Sequence, residues 1–229
     1  MALQDRYEVV LEQIARACEA AGRNVSDVTV IGVSKTVGLD QVAEARAAGI
    51  HDFGENRPEE LVRKHDAFST ERWHFIGNIQ SRQLRHVVGR ASLIHSLCNA
   101  DHARRIDALA KQAGIVQAVL LEINDGEQAK QGVSDRELPL LFEEVSQLGN
   151  VRIEGLMSMA PAGDPTAARR TFERVRILRD GLLDRYPAET KSTALATLSM
   201  GMSDDFAQAI AEGSTMVRVG RAIFSEDYR

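Results

Sequence analysis

Val28-Thr-Val-Ile-Gly-Val-Ser-Lys35-Thr36 decides how the rest of the chain is read. An apolar, β-branched run of strand length ends abruptly in a lysine. Near-continuous valine and isoleucine is the pattern of a strand buried on both faces, as in a parallel sheet. A lysine at the C-terminal end of such a strand projects from the mouth of a barrel or an open α/β sheet, where active sites collect. An amine beside an apolar wall loses hydration, which lowers its pKa and frees its lone pair for carbonyl chemistry. The plainer alternative is a lysine that only solvates a strand end.

The same motif recurs along the chain. Further strands are expected at Ile50–Gly54, Trp73–Gly77, Ser92–His95, Val116–Ile123, Val151–Met157, Thr193–Leu198 and Met216–Val219. Helical spacing fills the intervals at Leu39–Ala48, Pro58–Ala67, Gln80–Val88, Asp101–Ala113, Arg136–Leu148, Thr166–Tyr186 and Asp204–Glu212. One more helix, over residues 3–21, precedes the first strand and stops at Gly22. Strand and helix in strict alternation imply parallel βαβ units with right-handed crossovers. The expected fold is therefore α/β: a single (β/α)8 TIM-type barrel with an extra N-terminal helix, which covers the gap after the eighth strand. A doubly wound open sheet is the competing architecture. No repeat, low-complexity tract or linker marks a second domain, so residues 1–229 are expected to form one.

Composition narrows the function. The formal charge of −5 offers no basic field to nucleic acid or an anionic membrane, and no stretch has the apolar length of a membrane span. The first residues carry acids and no apolar h-region, so a cytoplasmic location is expected. Cys18 and Cys98 form no ligand cluster and read as two separate thiols.

Polar groups collect where the strands end. Phe53-Gly-Glu-Asn56 places a donor and acceptor, Asn56, after the second strand. Leu198-Ser-Met-Gly-Met-Ser203 offers Ser199, Gly201 and Ser203 ahead of a helix, with Ser203 as its N-cap. Val217-Arg-Val-Gly-Arg221 closes the eighth strand with Arg218, Gly220 and Arg221. Barrels often bind phosphate with the loops after strands seven and eight. A lysine after strand one lies next to those loops in a closed barrel. A small molecule with an aldehyde at one end and a phosphate at the other suits both, and pyridoxal 5′-phosphate is such a molecule. His74 either contacts the ligand or is a satisfied strand histidine. Lys130 either faces the mouth or is a solvated loop lysine. Met157 and Met159 follow strand six as lining or core.

Taken in order, Val33-Ser-Lys35-Thr, Phe53-Gly-Glu-Asn56, His74-Phe-Ile-Gly77, Gly155-Leu-Met157, Leu198-Ser-Met-Gly-Met-Ser-Asp204 and Val217-Arg-Val-Gly220 closely resemble the pyridoxal phosphate homeostasis protein family. That family is itself similar to the barrel domain of alanine racemase. The resemblance implies pyridoxal 5′-phosphate held as a Schiff base on Lys35. It implies phosphate contacts from Ser199, Gly201 and Gly220, Arg218 facing the pyridine nitrogen, and Asn56, His74 and Met157 as further cofactor-binding residues. No catalytic residue and no metal ligand is implied. Arg221 stands where many members carry a small hydroxyl residue, and Gln80-Ser-Arg-Gln83 lacks the family's usual Asn-Lys pair, so no role is carried onto it.

The implied role is management of the intracellular cofactor pool and amino-acid balance, without an established turnover reaction. An arginine at the pyridine nitrogen keeps it unprotonated and makes the ring a poorer electron sink. Only Arg221–Arg229 follow the eighth strand, whereas alanine racemase adds a β-rich domain with a second catalytic base. The expected partners are the cofactor and pyridoxal-phosphate-requiring apoenzymes, and the expected state is a monomer. A weak amino-acid racemase and a lysine-dependent aldolase are the alternatives.

Overall fold

A computed structural model describes residues 1–124, 131–187 and 195–228 of the chain. Eight strands pair in chain order: β1 (Thr29–Val33), β2 (Asp52–Glu55), β3 (Arg72–Phe75), β4 (Leu93–Leu97), β5 (Gln117–Ile123), β6 (Val151–Ser158), β7 (Thr197–Ser199) and β8 (Met216–Val219). All pairings are parallel. The last one, Thr29 with Met216 through Gly32 with Val219, closes the sheet on itself and excludes the open-sheet alternative.

The helices are α1 (Leu3–Ala20), α2 (Leu39–Ala47), α3 (Pro58–Ala67), α4 (Leu84–Val87), α5 (Ala100–Ala113), α6 (Leu138–Ser146), α7 (Pro165–Arg185), α8 (Phe206–Ala211) and α9 (Arg221–Phe224). Proline at the first turn of α3 and α7 matches its fixed φ to a position whose N–H needs no partner. The helix expected over Gln80–Val88 is instead a 3₁₀ turn at Ser81–Gln83 followed by four α-helical residues. Only Leu84 and Val87 of α4 are buried, too narrow an apolar stripe to hold a longer helix. α9 is unforeseen from the sequence. Residues 193 and 194 of the expected seventh strand, and Lys130, lie outside the described residues.

The main core lies between strands and helices. Phe53 and Trp73, neighbours on β2 and β3, stack with ring centroids 5.2 Å apart, and Trp73 Nε1 donates to the Phe68 carbonyl at 3.0 Å. The apolar stripe of α1 (Leu3, Tyr7, Val10, Ile14, Cys18) packs against α8 and α9 beside the β8–β1 seam. Arg6 fastens it by donating from Nε to the Ile223 carbonyl at 2.8 Å. α1 thus covers the gap that the eighth strand leaves, as its spacing predicts.

Inside the barrel, Leu93, Ala118, Leu120 and Met157 form a small apolar cluster with Met216 at its edge, and Ile31 of β1 is buried in register with Arg218. Polar side chains occupy the remaining interior. His95 on β4 bonds to Ser199 on β7, a contact between non-adjacent strands that has to cross the barrel's inside. No helix among the described residues is long and apolar enough to cross a membrane.

Candidate functional site

The site grows from the end of β1. Ser34 continues the ladder, donating its N–H to the Gly54 carbonyl at 3.0 Å. Its hydroxyl donates to Glu55 Oε1 at 2.6 Å, and its carbonyl accepts from Lys64 Nζ at 2.7 Å and from the Val37 N–H at 3.0 Å. Every polar group of Ser34 is committed, so the chain leaves the strand in one direction. The next residue, Lys35, is exposed and faces a cavity of about 840 Å³ at the C-terminal mouth of the barrel. Val33, Ile76, Met157, Met159 and Met202 give that cavity an apolar wall, while Lys35 itself stays exposed at its edge.

Six strand ends build the cavity. β1 gives Val33, Lys35 and Thr36; the β2–α3 loop gives Asn56 and Arg57; β6 gives Met157 with Met159 beyond it. The loops after β7 and β8 give Met202, Ser203, Gly220 and Arg221. Gln80 and Gln83, from a stretch with no expected role, also line it. Gly77 lets β2 and β3 converge here. A Cβ at that position would lie 2.0 Å from the Asn56 carbonyl oxygen, which no side chain tolerates.

Arg218 forms part of the lining from below, only 5% exposed. Nη1 donates to the Ser199 carbonyl at 2.6 Å and to Ser199 Oγ at 2.7 Å; Nη2 donates to the Ser158 carbonyl at 3.0 Å. A guanidinium has five N–H groups. Three are used, leaving the Nε–H and one Nη2–H with no partner among the described residues. Burial lowers the Arg218 pKa to about 10, against the opposing pull of Asp205 and Glu122, so it remains a cation at neutral pH. Burial likewise raises the carboxyls of Glu122 and Asp205, which Arg218 in turn lowers.

The eight residues expected to touch a cofactor divide five to three. Lys35, Asn56, Met157, Arg218 and Gly220 line the cavity. Ser199 does not: it is fully buried beneath Arg218, its hydroxyl between Arg218 and His95. The remaining two are also held away from the lining. His74 is buried one layer further down, bonded to His95 and Asp52. Gly201 shapes the loop, with φ at +91° and Phe206 and Ala209 too close for any side chain.

Ser203 takes the place at the cavity that the sequence suggested for Ser199. It does not cap the following helix. Its Oγ accepts from the Ala222 N–H at 3.3 Å, and the Met202 N–H is taken by the Asp205 carboxylate at 2.5 Å. Arg221 lies on the rim, paired with Asp204 and above the Tyr228 ring, 5.7 Å from its centroid. Burial and Asp204 push the Tyr228 hydroxyl up to about 12.

Sequence reasoning missed Glu55, Lys64, Asp52 and His95. The signal for His95 was present, since Leu93 and His95 alternate onto one face of a strand. That for Lys64 was its position three residues after Leu61, on the buried stripe of α3. Among the described residues no cluster of His, Cys, Asp or Glu is arranged to hold a metal ion, and Cys18 and Cys98 are both free thiols.

The family described as alanine racemase, N-terminal domain, matches residues 9–227. The chain is 41% identical over 226 residues to the pyridoxal phosphate homeostasis protein of Aquifex aeolicus, covering 97% of each. It is 40% identical over 225 residues to the protein of that description from Pseudomonas aeruginosa, covering 96% of this chain and 94% of the relative. Among solved structures, PipY of Synechococcus elongatus PCC7942 with PLP bound matches with a TM-score of 0.81 at 32% identity, over 93% of this chain and 100% of that one.

Proposed function

The chain belongs to the pyridoxal phosphate homeostasis protein family, and on that premise we propose that it binds pyridoxal 5′-phosphate through Lys35 and serves to hold and release it. One observation carries the reading. The exposed Lys35 amine and a fixed Arg218 guanidinium with two uncommitted N–H groups face one cavity. When bound, the cofactor supplies an aldehyde that an amine attacks reversibly.

The chain's own residues suit its parts. Lys35 provides the amine. Arg218 would present a donor and a positive charge to the ring, and because a guanidinium is a very weak acid it would donate a hydrogen bond without protonating the pyridine nitrogen. Ser203, Gly220 and Arg221, on the two loops after β7 and β8, suit the phosphate. Asn56 and Met157, from β2 and β6 at the mouth, would be placed to contact the ring.

A holding role also fits the cavity walls. Among the described residues, the lining contains no histidine, cysteine or tyrosine, which leaves Lys35 and Glu59 as its groups able to trade a proton. The open mouth lets a second amine, such as a lysine of a pyridoxal-phosphate-requiring apoenzyme, reach the bound aldehyde carbon.

The test compares absorption spectra of the parent and Lys35→Ala after adding pyridoxal phosphate. A new visible band in the parent alone, with no net conversion of any amino acid in a turnover screen, is the expected result. No band in the parent, or an unchanged band in Lys35→Ala, overturns the assignment of Lys35.

A further inference from the structure

Below Arg218 a series of side chains runs across the barrel interior. Asp52 Oδ1 lies 3.1 Å from His74 Nε2, His74 Nδ1 lies 2.9 Å from His95 Nε2, and His95 Nδ1 lies 2.9 Å from Ser199 Oγ. Arg218 Nη1 then donates to that Oγ at 2.7 Å. Four strands contribute before β8 is reached, and none of these four residues lines the cavity. The proposed function makes no use of them.

Counting protons gives the series a direction. Despite burial, hydrogen bonds from His74 and Arg72 hold the Asp52 carboxyl below its ordinary value, so it only accepts. His74 Nε2 must therefore carry a hydrogen. Two ring nitrogens 2.9 Å apart share one proton between them. Burial, with the Arg218 charge adding to it, pushes His95 well below the usual histidine range, so it has a single N–H to place. Arg72 already supplies Asp52 with a cation through both carboxylate oxygens. With the single hydrogen of His74 on Nε2, its Nδ1 is bare and the hydrogen between the two rings belongs to His95 Nε2. His95 Nδ1 is left bare in turn and receives the Ser199 hydroxyl proton.

We propose that Asp52, His74, His95 and Ser199 form a one-way hydrogen-bonded series whose role is to position Arg218. With its proton committed to His95, the Ser199 oxygen offers both lone pairs to the guanidinium. Arg218 is then held by three oxygens, and its two remaining N–H groups keep a fixed aim into the cavity. In the reverse direction, His95 Nδ1–H and Arg218 would fill both lone pairs of the oxygen, and the Ser199 hydroxyl hydrogen would lose its acceptor. The four residues are positioning residues, since they act on the cofactor only through Arg218. The proposal rests on the reading that Arg218 faces the bound cofactor.

Two measurements test it. The first uses cofactor-free protein at about pH 7.5 and long-range proton–nitrogen NMR, with His74→Gln and His95→Gln to assign the two rings. Both rings carrying hydrogen on Nε2 and none on Nδ1 is the expected result; hydrogen on either Nδ1 overturns the series. The second compares pyridoxal phosphate affinity of His95→Leu and His95→Gln. Glutamine can donate toward His74 and accept from Ser199, whereas leucine does neither. Binding about tenfold weaker in His95→Leu, largely restored in His95→Gln, is expected for a bond to a charged group. Equal affinity in both variants overturns the positioning role. A parent that binds no pyridoxal phosphate instead overturns the functional reading, and the NMR experiment then decides the series by itself.

Discussion

Lys64 Nζ and Glu55 Oε1 meet at 2.5 Å, and neither side chain reaches water. The pair sits directly behind Lys35, because the same ammonium holds the Ser34 carbonyl and the same carboxylate oxygen accepts the Ser34 hydroxyl. Glu55 Oε2 is also buried and has no hydrogen-bond partner among the described residues. The ion pair therefore acts as a clamp on the residue that precedes the proposed attachment point.

Removing one half of that clamp is expected to be severe. Lys64→Met leaves a buried carboxylate uncompensated and should destabilise the protein by about 3–5 kcal/mol. The double variant Lys64→Met, Glu55→Leu should recover much of that loss. Urea unfolding of the three proteins measures both values.

Acid should unfold the protein partly through Asp52. Its carboxyl is held below the ordinary value of 3.8, with burial opposing and the bonds from His74 and Arg72 prevailing. A lowered native pKa contributes stability that is fully present above the unfolded value and lost as pH falls through the native one. Glu71, bonded to His51, Thr70 and Arg46 against the effect of burial, shifts the same way. Asp52→Asn should therefore flatten stability against pH below about pH 4 relative to the parent, as read by unfolding across an acid series.

Gly201→Ala should cost about 1–3 kcal/mol, because φ is +91° and the new Cβ would lie 2.7 Å from that of Ala209. The relief available is a shift of Met202 and Ser203, so cofactor affinity should fall together with the melting temperature.

Arg221 separates ligand binding from stability. Its pair with Asp204 is exposed on both sides, and such pairs contribute about 0–1 kcal/mol. Arg221→Ala should leave the melting temperature nearly unchanged. It should weaken binding of pyridoxal phosphate severalfold, leave binding of phosphate-free pyridoxal unaltered, and reduce the salt dependence of the phosphate form. Titrations of both compounds at low and high salt distinguish these effects.

The barrel was legible because each buried strand announces itself twice, by its apolar run and by the helix period that follows. β8 and α3 fall on the expected residues, and Lys35 was readable as an interruption of such a run. Side-chain direction at the strand ends was not legible. Ser199 and Ser203 are both hydroxyls within one six-residue stretch; what separates them is register. Ser199 pairs with Met157 on β6 and stays inside the barrel, whereas Ser203 lies beyond the turn at Gly201. Partnerships between elements were equally hidden, since Glu55 and Lys64, or Asp52 and His74, find each other only once β2, α3 and β3 are packed.

The stacked indole on β3 has a practical consequence. Trp73 is the chain's single tryptophan, fully buried, and it looks outward to the helices while its neighbour His74 looks inward. All indole fluorescence thus originates at one point on the β2–β3 seam, outside the cavity lining. A red shift of that emission reports water entering the wall of the barrel, and it gives each variant above an optical gauge of folding that is read separately from the ligand's own colour.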